Sequence, residues 1–163
     1  MMNTEKSELE VLLEKHMEEE NRYQFERFSP EDAKALGEML YEESKSCKRT
    51  VGVEIRMNGE SVYRFMPGSC NHENGKWLAA KANTVEMMGM SSLHVRALLA
   101  KEGATLEDKK MNVVEHGTLG GGFPLFLKGT GMIGTICVSG LWHEDDHALI
   151  LRVLDRFIAD KAC

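Results

Sequence analysis

What this sequence lacks narrows what it can be. No apolar run approaches the roughly 18–20 residues needed to cross a bilayer. The opening segment, MMNTEKSELEVLLEKHMEEE, has no uncharged apolar core of the kind a secretory signal carries. No membrane association and a cytoplasmic address are therefore expected. Only four cysteines occur, Cys47, Cys70, Cys137 and Cys163, with no CxxC pair, so they read as buried or idle thiols and not as a disulfide framework. Proline occurs three times, and neither an internal repeat nor a low-complexity linker is present. There is no basic excess: 20 Lys and Arg stand against 26 Asp and Glu, a formal net charge of −6. Most of that charge is local, since residues 1–20 hold seven Glu and two Lys. Without a basic stripe to neutralise phosphates, nucleic acid is excluded as a partner.

What remains is an ordinary globular composition, 42% hydrophobic and 28% charged, in 163 residues. That length suits one domain, 1–163, with residues 1–20 forming an acidic N-terminal helix. Leu9, Leu12, Leu13 and His16 give that helix one apolar stripe. Its Glu18-Glu19-Glu20 end opposes the helix dipole, so fraying is expected there. Arg22–Phe28 reads as a short strand. Ser29-Pro30-Glu31-Asp32 then opens a helix, with Ser as N-cap, Pro at the first position and acids in the first turn.

Val51–Met57 and Ser61–Met66 flank Asn58-Gly59, a strong hairpin signal because both turn positions need positive φ. Ser69–Asn74 reads as a polar loop and Gly75–Met90 as a helix. Ser91 or Ser92 caps a further helix that stops at Gly103. Residues 105–118 are polar and irregular. Phe123–Lys128 and Met132–Val138 form a second hairpin, and an amphipathic helix carrying Leu151, Leu154, Phe157 and Ile158 ends the chain. Two hairpins and one extra strand make a five-stranded, mainly antiparallel sheet that helices must cover.

The stretch Gly120–His147, GGGFPLFLKGTGMIGTICVSGLWHEDDH, is the richest in signals. It contains a literal His-Glu-x-x-His string, His143 to His147. A zinc protease needs both histidines on one face of a regular helix with the Glu beside the bound water. Here Asp145 and Asp146 read as the cap and first turn of the last helix. That puts His143 in the preceding loop, with a surface histidine on each side of the acids. The protease reading is rejected and no metal is assigned, with an adventitious divalent site at His143 and His147 left as the alternative. Gly120-Gly121-Gly122 precedes a strand and is followed by no P-loop lysine; it suits either a bulge entering the sheet or close approach to a flat ligand. Trp77 and Lys81, one helical turn apart, make either a core Trp with a snorkelling Lys or an aromatic wall with a cationic tip. His94 and His116 are candidate axial ligands for haem iron. No catalytic residue can be named.

With these segments in place, the chain resembles the haem-degrading-domain family, which includes GlcG-like and HbpS-like proteins. The carrying residues are Val53-Glu54-Ile55-Arg56 with Asn58-Gly59, Trp77 with Lys81-Ala82, and Gly120 through His147. The resemblance implies a profilin-like three-layer α/β/α sandwich and assembly into a homodimer or larger ring. It also implies a small-molecule site, for haem, another tetrapyrrole or a small organic acid. The positions it nominates are Trp77, Lys81, Gly121, Gly122, Phe123, Pro124 and His147. The ligand would lie between the Gly120–Pro124 segment and the Trp77–Lys81 helix, with His147 near the rim. Leu119 stands where many relatives would carry histidine. Haem degradation as an enzyme, and a ligand-free scaffold docking through its acidic helix, are the rival functions.

Overall fold

The computed structural model describes residues 5–161, so Cys163 and the first four residues lie outside the described part. Helix α1, Glu8–Arg22, starts in a reciprocal capping box between Ser7 and Glu10. It runs straight through Glu18-Glu19-Glu20, where fraying was expected. Two of those acids are partnered: Glu19 with His16 and His147, and Glu20 with His94 and the Ser91 amide. Tertiary hydrogen bonds outweigh the weak dipole term there. Strand β1 is only Gln24–Phe25, shorter than the seven residues expected. Helix α2, Pro30–Ser44, opens on a second box between Ser29 and Asp32, as the sequence indicates.

Strands β2, Gly52–Met57, and β3, Glu60–Phe65, pair antiparallel around Asn58-Gly59, whose φ values of 52° and 84° show the turn chemistry. Helix α3, His72–Met88, begins earlier than predicted, because Asn71 caps it through the Glu73 and Asn74 amides. The polar stretch was therefore a helix start and not wholly a loop. Helix α4, Ser92–Glu102, is capped by Ser91 and ends at Gly103 in the left-handed conformation. A single 3-10 turn at Glu107–Lys109 interrupts the irregular stretch. Strands β4, Gly122–Leu127, and β5, Gly131–Ser139, form the second hairpin, and α5, His143–Lys161, closes the fold. Helix α5 thus starts at His143, not at the two aspartates, and both histidines of the string are helical and buried. The expectation of a loop-borne His143 and of surface histidines is corrected accordingly.

The sheet order is β1-β4-β5-β2-β3. The β1–β4 pair is parallel and every other pair antiparallel, so the sheet is mixed but mainly antiparallel. Strand alternation sorts its two faces. Val53, Ile55, Phe123, Leu125, Ile136 and Val138 belong to the main core with Leu36, Leu40, Leu149, Ile150 and Leu154 of α2 and α5. Cys137 faces the other way, against Leu78 and Ala82 of α3. Its thiol is pushed up to about 12 by burial, which leaves it an inert space-filler. The result is the expected three-layer α/β/α sandwich. Helix α1 packs on α4 and reaches the start of α5 through Glu19. No helix among the described residues is long and apolar enough to cross a membrane.

Candidate functional site

The first turn of α5 sits where β5, α3 and α4 meet, and its acids do more than cap. Lys81 of α3 is almost wholly buried; its Nζ donates to the Val138 carbonyl at 2.8 Å and pairs with Asp146 Oδ2 at 3.2 Å. Asp146 Oδ1 accepts from the Leu141 amide at 3.0 Å. Burial pushes the Asp146 carboxyl up to about 6, against the opposing pull of Lys81 and of these hydrogen bonds. The pair is hydrogen-bonded on both sides, which a buried ion pair requires if it is not to destabilise the fold.

Two of the three glycines are explained by this pair, and Gly120 by the His143 carbonyl, which a Cβ there would meet. Gly121 has φ +114°, and a Cβ there would stand 2.6 Å from the Val138 carbonyl oxygen and 2.8 Å from Lys81 Nζ. A Cβ on Gly122 would meet Lys81 Cβ at 3.1 Å. The chain entering β4 therefore lies directly on Lys81 and Asp146. The expected arrangement, a ligand between the Gly120–Pro124 segment and the Trp77–Lys81 helix, is replaced by direct packing. Phe123 and Pro124 are likewise buried in the sheet, with the Phe123 ring edge-on to Tyr23 at 6.1 Å.

A cleft of about 430 Å³ opens beside that pair. Trp77, Lys81, Asp146 and Leu119 line it, together with Trp142, His143, Arg49 and Arg96. Trp142 is 68% exposed. Both tryptophans of the protein are thus in one cleft. Arg49 and Arg96 are exposed, and neither guanidinium makes an ion pair or side-chain hydrogen bond among the described residues. Two unspent cations beside two indoles form a surface for a flat or compact molecule bearing carboxylates. Of the nominated positions, only Trp77 and Lys81 line it. Arg49, Arg96 and Trp142 were not nominated; they carry no motif, and only the fold assembles them.

His143 is fixed in the wall: its Nδ1 accepts from the Gly120 amide at 3.0 Å. Burial, with the positive charge of Arg96, holds its pKa below the ordinary value, so the ring is neutral and its proton sits on Nε2. The other histidines are elsewhere. His94 bonds Glu20 at 2.9 Å, and His116 Nδ1 lies 3.1 Å from the Asn112 carbonyl. Neither lines this cleft.

His147 opens on a second cleft, of about 380 Å³, between α1, α4 and α5. Its Nε2 lies 3.0 Å from Glu19 Oε1, the same oxygen that His16 Nδ1 approaches at 2.8 Å. Burial alone would raise Glu19, but the hydrogen bonds and charge of His147 and His16 win and hold it at about 2. His147 Nδ1 is buried without a hydrogen-bond partner.

Comparisons with known proteins agree on the fold. Residues 28–155 match the family described as haem degrading protein HbpS-like. The UPF0303 protein YE1367 of Yersinia enterocolitica is 39% identical over 137 residues, covering 83% of this chain and 81% of its own. The crystal structure of the Ybr137w protein superposes with TM-score 0.82 at 25% identity, covering 93% of this chain and 90% of that one. The structure described as a PduOC:Heme complex superposes with TM-score 0.66 at 23% identity, over 78% of this chain and 93% of that one. The chain belongs to the HbpS-like haem-degrading family.

Proposed function

We propose that this family member binds a small carboxylate-bearing molecule, a tetrapyrrole or an organic acid, in the cleft between α3 and the start of α5. The observation that carries the reading is the placing of Arg49 and Arg96, neither in an ion pair among the described residues, beside Trp77 and Trp142 in one cleft. The size is in the range of ligand sites, and the neighbour solved as a heme complex supports the tetrapyrrole class. The residues fit the carboxylates and a flat ring but not axial ligation of iron. The Nδ1 lone pair of His143 is taken by the Gly120 amide, Lys81 is tied to Asp146, and Leu119 fills the wall where relatives were expected to offer histidine. Tetrapyrrole binding here is held by stacking and carboxylate–guanidinium contacts.

In this reading the chain acts as one domain with α1 included, since His16 and Glu20 are buried. Self-association fits the exposed apolar side chains Phe65, Val113 and Val114 and the sheet-edge position of β3; light scattering during size exclusion tests it, and a monomer at all concentrations would contradict it. For the ligand, quenching of Trp77 and Trp142, which both line this cleft, follows binding. Protoporphyrin IX is expected to quench saturably at one equivalent per chain, and its dimethyl ester to bind at least tenfold more weakly. Equal affinity of acid and ester would sink the carboxylate reading. A haem titration should match protoporphyrin IX within a few-fold, because no protein ligand reaches the iron.

A further inference from the structure

The second cleft carries its own chemistry. His16 and Glu19 lie one turn apart on α1, and His147 reaches them from α5. One donor atom from each lies within 4.8 Å of the others. The Glu19 separations of 2.8 and 3.0 Å are only a few tenths shorter than the roughly 3.3 Å edge of a tetrahedron with about 2.0–2.1 Å metal–ligand bonds. Two imidazoles and a carboxylate at the floor of a cleft are the ligand set of an open three-residue site.

The tautomers separate the two histidines of the 143–147 string. A neutral imidazole ligates through an unprotonated nitrogen. In His143 the Gly120 amide donates to Nδ1, which locks the proton on Nε2 and leaves that nitrogen unable to ligate. In His147 nothing among the described residues donates to Nδ1, so the proton can move there and free Nε2, the atom that faces Glu19. The literal string is therefore misleading by one partner: His147 finds its co-ligand Glu19 128 residues away in sequence.

We propose that His16, Glu19 and His147 form a binding site for a divalent transition metal of the zinc class. Two of its ligands, His16 and Glu19, lie on α1, outside the residues 28–155 that match the family, and none of the three lines the carboxylate cleft. The cleft above it is walled by Leu9, Leu12, Leu93 and Leu151, with Lys15 and Arg96 alongside. A molecule with an apolar body and an anionic head suits that lining and would complete the coordination.

The test uses the full chain, stripped with chelator, and titrated with Zn²⁺ by calorimetry and with Co²⁺ by visible absorption. One equivalent of metal is expected, with cobalt bands of four- or five-coordinate intensity. His16→Gln and His147→Gln should each weaken binding at least a hundredfold while far-UV circular dichroism stays unchanged. Glu19→Gln, which keeps the side chain's shape, serves if either histidine variant unfolds, and should weaken binding at least tenfold. His143→Gln should leave metal affinity within threefold. Absence of stoichiometric binding, or loss on His143→Gln with retention in His16→Gln, would overturn the assignment. Quenching by protoporphyrin IX should persist in the three α1 and His147 variants, so failure here is distinguishable from failure of the carboxylate cleft.

Discussion

The two clefts share Arg96 and draw on neighbouring residues of one helical turn, Asp146 for one and His147 for the other, yet they are built on opposite terms. The cleft at α3 has its charge pair in the floor, saturated and buried, and leaves its cations free at the mouth. The cleft at α1 gathers its polar atoms around one carboxylate oxygen and surrounds them with leucines. In the first, the buried pair supports and the exposed groups bind; in the second, the buried groups are themselves the binding set. The lesson is that burial of a titratable cluster marks function only where its donor atoms are not already committed. Lys81 and Asp146 are committed to Val138 and Leu141 as well as to each other, whereas Glu19 serves two histidines, one of which keeps an unpartnered nitrogen.

Substitutions can break this contrast, starting with the floor of the α3 cleft. Lys81→Met leaves Asp146 buried without its counter-charge and should cost about 3–5 kcal/mol in urea unfolding; Lys81→Met with Asp146→Asn should recover part of it, because no charge is then stranded. Loss below about 1 kcal/mol would show that the pair is not the structural element described. Glu19→Ala removes one carboxylate that two buried histidines share and should cost about 1–3 kcal/mol, measured the same way, while porphyrin quenching is unchanged. An equal loss of both would mean that the clefts are one site.

At the far side of α5, Glu43 of α2 holds Arg152 at 2.9 Å and Arg156 at 2.8 Å. Glu43→Gln should cost no more than about 0.5–1 kcal/mol, since both arginines are half exposed. The Arg152 hydrogen bond holds the Glu43 carboxyl below its ordinary 4.5. Its contribution is therefore present above about pH 4.5 and fades as pH falls through the depressed folded value. Urea midpoints from pH 7 down to 3 should converge for wild type and variant; a gap that widens on acidification would contradict the sign. Neither cleft's binding should respond.

Much of the scaffold was legible because its signals are local. Ser29-Pro30 and Ser91 name their helices by capping, and Asn58-Gly59 names its hairpin by φ. The five strands and three layers follow from counting such segments. What was not legible depended on partners far apart in sequence. The acids at 18–20 looked like a helix end until His147 and His94 accounted for two of them. Trp77 and Lys81 were legible as a pair on one helix face, but the close packing of Gly121 and Gly122 on Lys81 was not. His147 was nominated for a rim beside the glycines, whereas strand order and the path of α1 turn it toward Glu19.

Arg49 and Arg96 are the proposed anion-binding groups of the cleft that holds both tryptophans. Protoporphyrin IX titrated into wild type and into the Arg49→Ala, Arg96→Ala double variant, followed by tryptophan quenching, tests this most directly. The expected result is saturable one-to-one quenching in wild type. In the double variant the dissociation constant should rise at least tenfold, about 1.4 kcal/mol, with urea stability unchanged within about 0.5 kcal/mol. Quenching of equal affinity in both proteins would contradict it.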